Sequence, residues 1–197
     1  MQANPLAEKL KGTRLILGSN SPRRQELLRS IGLDFEIITK DVDETYPEQF
    51  RREDISMFLA RKKAMAFKPE LAEGGIVITA DTIVAVDELI LGKPTDLQDA
   101  ERMLKLLSGR KHSVITGVCL MSARKSESFF VKTEVSFKNL RESEIRYYLE
   151  TEPPLDKAGA YGIQDWIGKT GIEYILGSYY NVVGLPTKEL YENLMRF

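Results

Sequence analysis

One cysteine, one histidine and almost no net charge leave this chain short of several kinds of chemistry, and each shortage excludes something. Cys119 alone forms no intramolecular disulfide and argues against a thiolate metal cage. It lies in the apolar run Val114 to Met121, where the expected role is a small core residue. His112 alone rules out a multi-histidine zinc centre, and its place at the start of a strand pattern predicts a surface position. With 28 basic against 29 acidic side chains and a formal charge of −1, no global field recruits nucleic acid or an anionic membrane. No apolar run approaches the ~20 residues of a membrane span, and Met1 to Lys11 lacks the basic head and apolar core of a secretory signal. The expectation is a soluble cytoplasmic protein that binds neither nucleic acid nor membrane. Hard-metal chemistry on carboxylates stays open.

What is present is a chain of 197 residues, 43% hydrophobic, enough for one sizeable core or for two small lobes sharing a cleft. Repeats, low-complexity tracts and Gly/Ser/Pro-rich linkers are missing, so residues 1–197 read as one domain. Strand patterns fall at Arg14–Leu17 and Phe35–Thr39, with a helix at Pro22–Ile31 between them, stopped by Gly32. A longer helix is predicted over Asp54–Phe67, because Ile55, Phe58, Leu59 and Ala66 recur at helical spacing before Pro69. Strands follow at Ile76–Val86 and Leu89–Leu91. Thr95 and Gln98 suggest a capping box opening a helix through Leu107. Ser113–Ser122 and Phe129–Phe137 read as a hairpin, then helices at Glu142–Glu150 and Thr187–Met195 flank a Gly-rich aromatic stretch, Ala158–Gly184. This order predicts an α/β or α+β mixed sheet flanked by helices.

Two places carry chemistry. The first is Gly18-Ser19-Asn20-Ser21-Pro22-Arg23-Arg24, between a strand and a helix. Ser21 suits the N-cap and Pro22 the first helical position, so free amides and two guanidiniums gather where an anion binds well. Two arginines in that turn oppose the helix dipole by roughly 0.3–1 kcal/mol per charge, a conflict that a phosphate removes. A capped helix with its arginines in solvent explains the pattern equally well, and the spacings of a Walker loop or a dinucleotide fingerprint are absent. The second is Asp81, the one charge among the eleven residues Ile76 to Val86. A carboxylate within a buried strand needs a metal, a cation or several donors; the alternative is that the strand ends at Ala80 and Asp81 caps a turn. Asp41, Asp43 and Glu44 form an acidic cluster able to add an oxygen ligand for a divalent cation, or simply a solvated loop. Lys93, in Gly92-Lys93-Pro94, either reaches a ligand or faces water. Helical periodicity puts Lys62 in the middle of its apolar stripe and Lys63 at the edge.

Together these pieces resemble the Maf family of nucleotide pyrophosphatases, a branch of the inosine triphosphatase-like superfold also described as septum-formation inhibitors. The resemblance is carried, in order, by Ser19–Arg24, Asp43-Glu44, Leu59–Ala64, Ala80–Val84, Gly92–Pro94, Leu107–Gly109, Asp156–Gln164 and Gly184–Pro186. It implies an elongated central mixed sheet with a cleft between two lobes, and hydrolysis of dTTP and UTP, or modified pyrimidine triphosphates, to monophosphate and pyrophosphate. It makes Asp81 the proton acceptor, working with or through Mg²⁺, Mn²⁺ or Co²⁺, with Glu44 assisting at the metal or water. Ser21, Arg23, Lys63 and Lys93 hold the phosphates, so the resemblance selects Lys63 over Lys62. Arg24, Thr82 and Gln164 occupy the base-selecting positions, followed by Asp165 and Trp166 where many members have a glycine. A homodimer that clears unwanted triphosphates, with a link to arrest of cell division, is also implied. The competing class is a nucleotide sensor that binds through the same loop without turnover.

Overall fold

The computed structural model describes residues 4–71 and 74–197; Met1 to Ala3, the start of the segment read for a signal, lie outside them. In chain order the elements are α1 (Pro5–Lys9), β1 (Leu15–Leu17), α2 (Pro22–Ser30), β2 (Glu36–Ile37), α3 (Arg52–Met65), β3 (Ile76–Val86), β4 (Leu89–Leu91) and α4 (Leu97–Leu107). Then come β5 (Lys111–Met121), β6 (Ser126–Phe137), α5 (Glu142–Thr151), a 3₁₀ turn at Ala158–Ala160, α6 (Trp166–Gly171), β7 (Ile172–Leu176), α7 (Tyr179–Val183) and α8 (Thr187–Arg196). The strands are ordered β2-β1-β3-β5-β6-β7, with β4 pairing β3 off this path. Parallel pairs at β1–β2 and β1–β3 and antiparallel pairs at β3–β4 and β6–β7 make the sheet mixed, as expected.

The chain divides into two compact units: the first holds the chain up to Asp81, Thr116–Val131 and Gly184–Phe197, the second Thr82–Ile115 and Lys132–Val183. In the first, α2 carries the chain from β1 to its parallel neighbour β2, and α3 brings it back to β3 on the other side of β1. Parallel neighbours need such crossovers. Reversal of the path about β1 creates a switch point beyond the carboxyl end of β1, beside the middle of β3, where open α/β sheets bind ligands. The core there joins Ile16, Val77 and Cys119 to Ala60 and Ala64 of α3 and to Phe67 in the turn after it, so Cys119 is the core residue expected. Gly117 sets the height of α3: a Cβ on it would lie 2.3 Å from the Ser56 carbonyl group, so only glycine lets this helix approach β5 so closely.

The second unit has its own core, in which Val84, Val86 and Leu91 meet Leu104 and Leu107 of α4, Tyr148 and Leu149 of α5, and Phe137 of β6. None of the described helices is long and apolar enough to cross a membrane.

Several expectations shift. β2 shrinks to two exposed residues, because it is an edge strand whose partner β1 offers only a three-residue ladder. The N-cap lies one residue later, with Asp96 accepting from the Asp99 amide at 2.8 Å, and the Asp99 carboxylate accepts from the Thr95 amide at 3.1 Å in place of the reciprocal bond of a capping box. α1 has no counterpart in the sequence reading: Asn4 caps it through the Leu6 and Ala7 amides and Pro5 opens it, but five residues are too few to show periodicity. His112 is buried at 3% exposure instead of lying at the surface, since strand alternation turns it inward onto Phe137 and Tyr161.

Candidate active site

The first unit assembles most of the residues singled out. β1 ends at Leu17, which pairs with Ile78, so β3 runs three residues past it before reaching Asp81, alongside the Gly18–Ser21 connection. The strand continues without a break to Val86, which removes the alternative that it stops at Ala80. Thr79 and Asp81 project from the same face toward α3: the Thr79 hydroxyl donates to the Ala60 carbonyl at 2.7 Å and the Lys63 ammonium donates to Asp81 Oδ1 at 2.5 Å. Lys63 also pairs with Glu44 Oε1 at 2.8 Å. One ammonium therefore bridges two carboxylates, and the residue at the stripe's edge, not its centre, faces the buried aspartate.

Lys62 goes elsewhere. It donates to Asp43 at 2.9 Å and to the Thr45 carbonyl at 3.1 Å, pinning the acidic loop from outside. The Thr45 hydroxyl and then Lys62 hold the Asp43 carboxyl at about 2, so it stays ionised in that clamp. Periodicity pointed to Lys62, but α3 presents its polar edge, not its apolar centre, to the middle of β3.

Asp81 is 8% exposed. Burial pushes its carboxyl above the usual range, Lys63 and then Arg24 pull it down, and Glu44 adds to the rise. A buried carboxylate held against a cation is the kind of environment in which a titratable group is tuned for proton transfer.

α2 begins as expected, with Ser21 in extended conformation at the N-cap and Pro22 in the first turn, but the Ser21 hydroxyl makes no capping bond. Its first turn holds no acid to balance Arg23 and Arg24. Arg24 is partly structural: Nε donates to the Gly184 carbonyl and Nη1 to the Ala80 carbonyl, each at 2.8 Å, fastening the helix start to the residue before Asp81. Arg23, on the same turn, adds a second positive charge that opposes that of Arg24.

The donor set suits a hard divalent cation. Asp81 and Glu44 turn oxygens toward one shared positive centre, and among the described residues no group of three or more His, Cys, Asp or Glu could hold a metal alone. Two carboxylates completed by water and substrate phosphate are the pattern Mg²⁺ adopts.

The other expected residues belong to the second unit. Thr82 is half-buried and, one residue after Asp81, leaves β3 on the opposite face. Lys93 is exposed, on a loop whose Gly92 carbonyl accepts from the Gly159 amide at 3.0 Å. Gln164, five residues further on, has a side-chain oxygen buried without a hydrogen-bond partner. Sequence reasoning gave no role to Tyr148 on α5, whose hydroxyl donates to Asp165 at 2.8 Å and accepts from the Gly162 amide at 3.2 Å. A tyrosine in a helical apolar stripe carries no signal of that bond.

A family model described as Maf-like protein matches residues 14–197. A dTTP/UTP pyrophosphatase of Parabacteroides distasonis is 47% identical over 193 residues, covering 98% of this chain and 100% of its own. One of Phocaeicola vulgatus is 46% identical over 192 residues, covering 97% and 100%. Among solved structures, a dITP/XTP pyrophosphatase of Mycobacterium abscessus matches with a TM-score of 0.41 at 15% identity, over 65% of this chain and 76% of that one.

Proposed function

The chain belongs to the Maf-like protein family, and from that premise we propose that it hydrolyses dTTP and UTP to the monophosphate and pyrophosphate. The observation that carries the mechanism is the Lys63 ammonium between Asp81 and Glu44, at the middle of β3 just past the end of β1 and beside a cationic helix start. Asp81 accepts the proton of the water that attacks the α-phosphorus. Phosphate oxygens lie across the α2 amides, the Ser21 hydroxyl and Arg23, with Lys63 and Lys93 neutralising charge on the leaving pyrophosphate. Such displacements need positioning and charge compensation more than covalent participation. Asp81 and Glu44 would hold the divalent cation, Mg²⁺, Mn²⁺ or Co²⁺, which supplies Lewis-acid polarisation of the phosphate and a lower pKa for water. The protein's own part is to keep the base sequestered and the phosphates aligned.

Base choice is assigned to Arg24, Thr82 and Gln164. The partnerless Gln164 oxygen is an acceptor, and uracil and thymine offer an N3–H donor where cytosine has a lone pair. Residues 1–197 are taken as one catalytic domain, working in the cytoplasm as a homodimer.

Incubation of the purified protein with dTTP or UTP and Mn²⁺, with products identified, tests the reading. Monophosphate and pyrophosphate in equal amounts are expected; stepwise release of single phosphates, or tight binding without turnover under every divalent metal, overturns it.

A further inference from the structure

Resting on that reading, we propose that Tyr148 and Asp165 are positioning residues that set the base preference by locking the turn that presents Gln164. The Asp165 amide donates to the Gly162 carbonyl at 3.1 Å, closing a four-residue turn with Gln164 in its third place. Both ends of this turn are tied to one phenol: Tyr148 accepts from the Gly162 amide and donates to the Asp165 carboxylate.

Asp165 occupies the N-cap of α6, where an aspartate ordinarily bonds the first helical amides, yet it makes no such capping bond. Its carboxylate folds back over the turn instead, so close that a Cβ on Gly162 would lie 2.4 Å from Oδ2. Lys157 approaches the same oxygen at 3.5 Å. Just beyond, the Trp166 amide donates to Glu152 at 3.0 Å and its ring packs edge-on against Tyr147, 4.8 Å between centroids. The chain on either side of Gln164 is therefore fastened to α5 or the residue that ends it. Burial and then the Asp165 carboxylate push the Tyr148 phenol upward, so it remains a donor across any working pH.

A rigid turn matters because the Gln164 acceptor is desolvated and unpaired. Held in place, it rewards a base with a donor and penalises one without; on a loosened turn it rotates to find water and loses that discrimination.

The test compares Tyr148→Phe, Asp165→Ala and Asp165→Asn with wild type on UTP, dTTP and CTP, alongside melting curves. Wild type is expected to prefer UTP over CTP. Tyr148→Phe and Asp165→Ala should each raise KM for UTP and dTTP about tenfold with little change in kcat, one lost hydrogen bond's worth, and leave CTP unchanged, narrowing the preference by the same factor. Asp165→Asn keeps an acceptor for the phenol and should restore most of it, and the double variant Tyr148→Phe/Asp165→Ala should be no worse than either single. Unchanged discrimination in the variants, equal losses on all three triphosphates, or no preference in wild type overturns the proposal; should Tyr148→Phe fail to fold, the Asp165 pair decides. Absence of pyrophosphate release by wild type would instead defeat the underlying function.

Discussion

Asp81 and His112 are both buried and titratable, and their environments send them opposite ways. In the proposed mechanism Asp81 accepts a proton only when ionised, so kcat/KM should rise with pH along an acid limb centred above the ~3.9 of a free aspartate. Lys63 is the strongest influence pulling that carboxyl down, so Lys63→Met should move the limb to higher pH as well as lower the rate. Asp81→Asn should cost about 10²–10⁴ in kcat while nucleotide binding persists; turnover near wild type would remove Asp81 from the reaction. His112 Nε2 meets the Tyr161 hydroxyl at 2.7 Å, and burial depresses the imidazole to about 4 from its ordinary 6.5. The unfolded chain takes up this proton before the folded one does. Its contribution to stability is thus complete above pH 6.5 and lost as the pH falls toward 4, about 2 kcal/mol of it between pH 7 and pH 5. Urea unfolding at those two pH values should show the loss in wild type and a smaller one in His112→Gln.

At the scale of elements, α3 decides which lysine meets Asp81. Lys62→Met, which frees only the Asp43 loop, should change kcat less than threefold, whereas Lys63→Met should lower it by two orders of magnitude or so. Gly117→Ala tests the same helix from below: overpacking against Ser56 should cost about 1–3 kcal/mol and displace α3. Because Lys63 lies two turns further along, kcat should fall at least tenfold, read beside the denaturant midpoint. Much of this was legible beforehand, since β3 and β4 fall on the residues the apolar pattern marks and α2 starts at Ser21-Pro22, the boundary those residue types indicate. What the pattern missed had no period to read. β7 leaves most of its side chains half-covered or exposed, α6 and α7 are only six and five residues long, and His112 is a polar residue turned inward by alternation. The Lys63–Asp81 contact joins residues 18 apart on different elements, which only the register of a family, not the spacing of one chain, could indicate.

At the scale of the molecule, the near-zero net charge leaves recognition to local groups, so affinity for a triphosphate should depend on Ser21, Arg23 and Lys63 and little on bulk basicity. The first unit is gathered from three stretches of chain and the second from two. In the last stretch of the first, Leu190 and Leu194 of α8 are fully buried, and Lys9 donates from the end of α1 to the Leu194 and Met195 carbonyls. A chain stopped after Val183 removes all of this together with the Gly184 carbonyl that holds Arg24. It should be inactive, and its melting curve should lack the wild-type cooperative transition, although every residue named in the chemistry is still present.

That interleaving has a consequence for biosynthesis. A ribosome makes the loop that carries Arg24 before the second unit and the carbonyl that secures Arg24 after it. A half-translated copy thus lacks the carbonyl that fastens Arg24, and activity should appear only once Gly184 and α8 have left the exit tunnel.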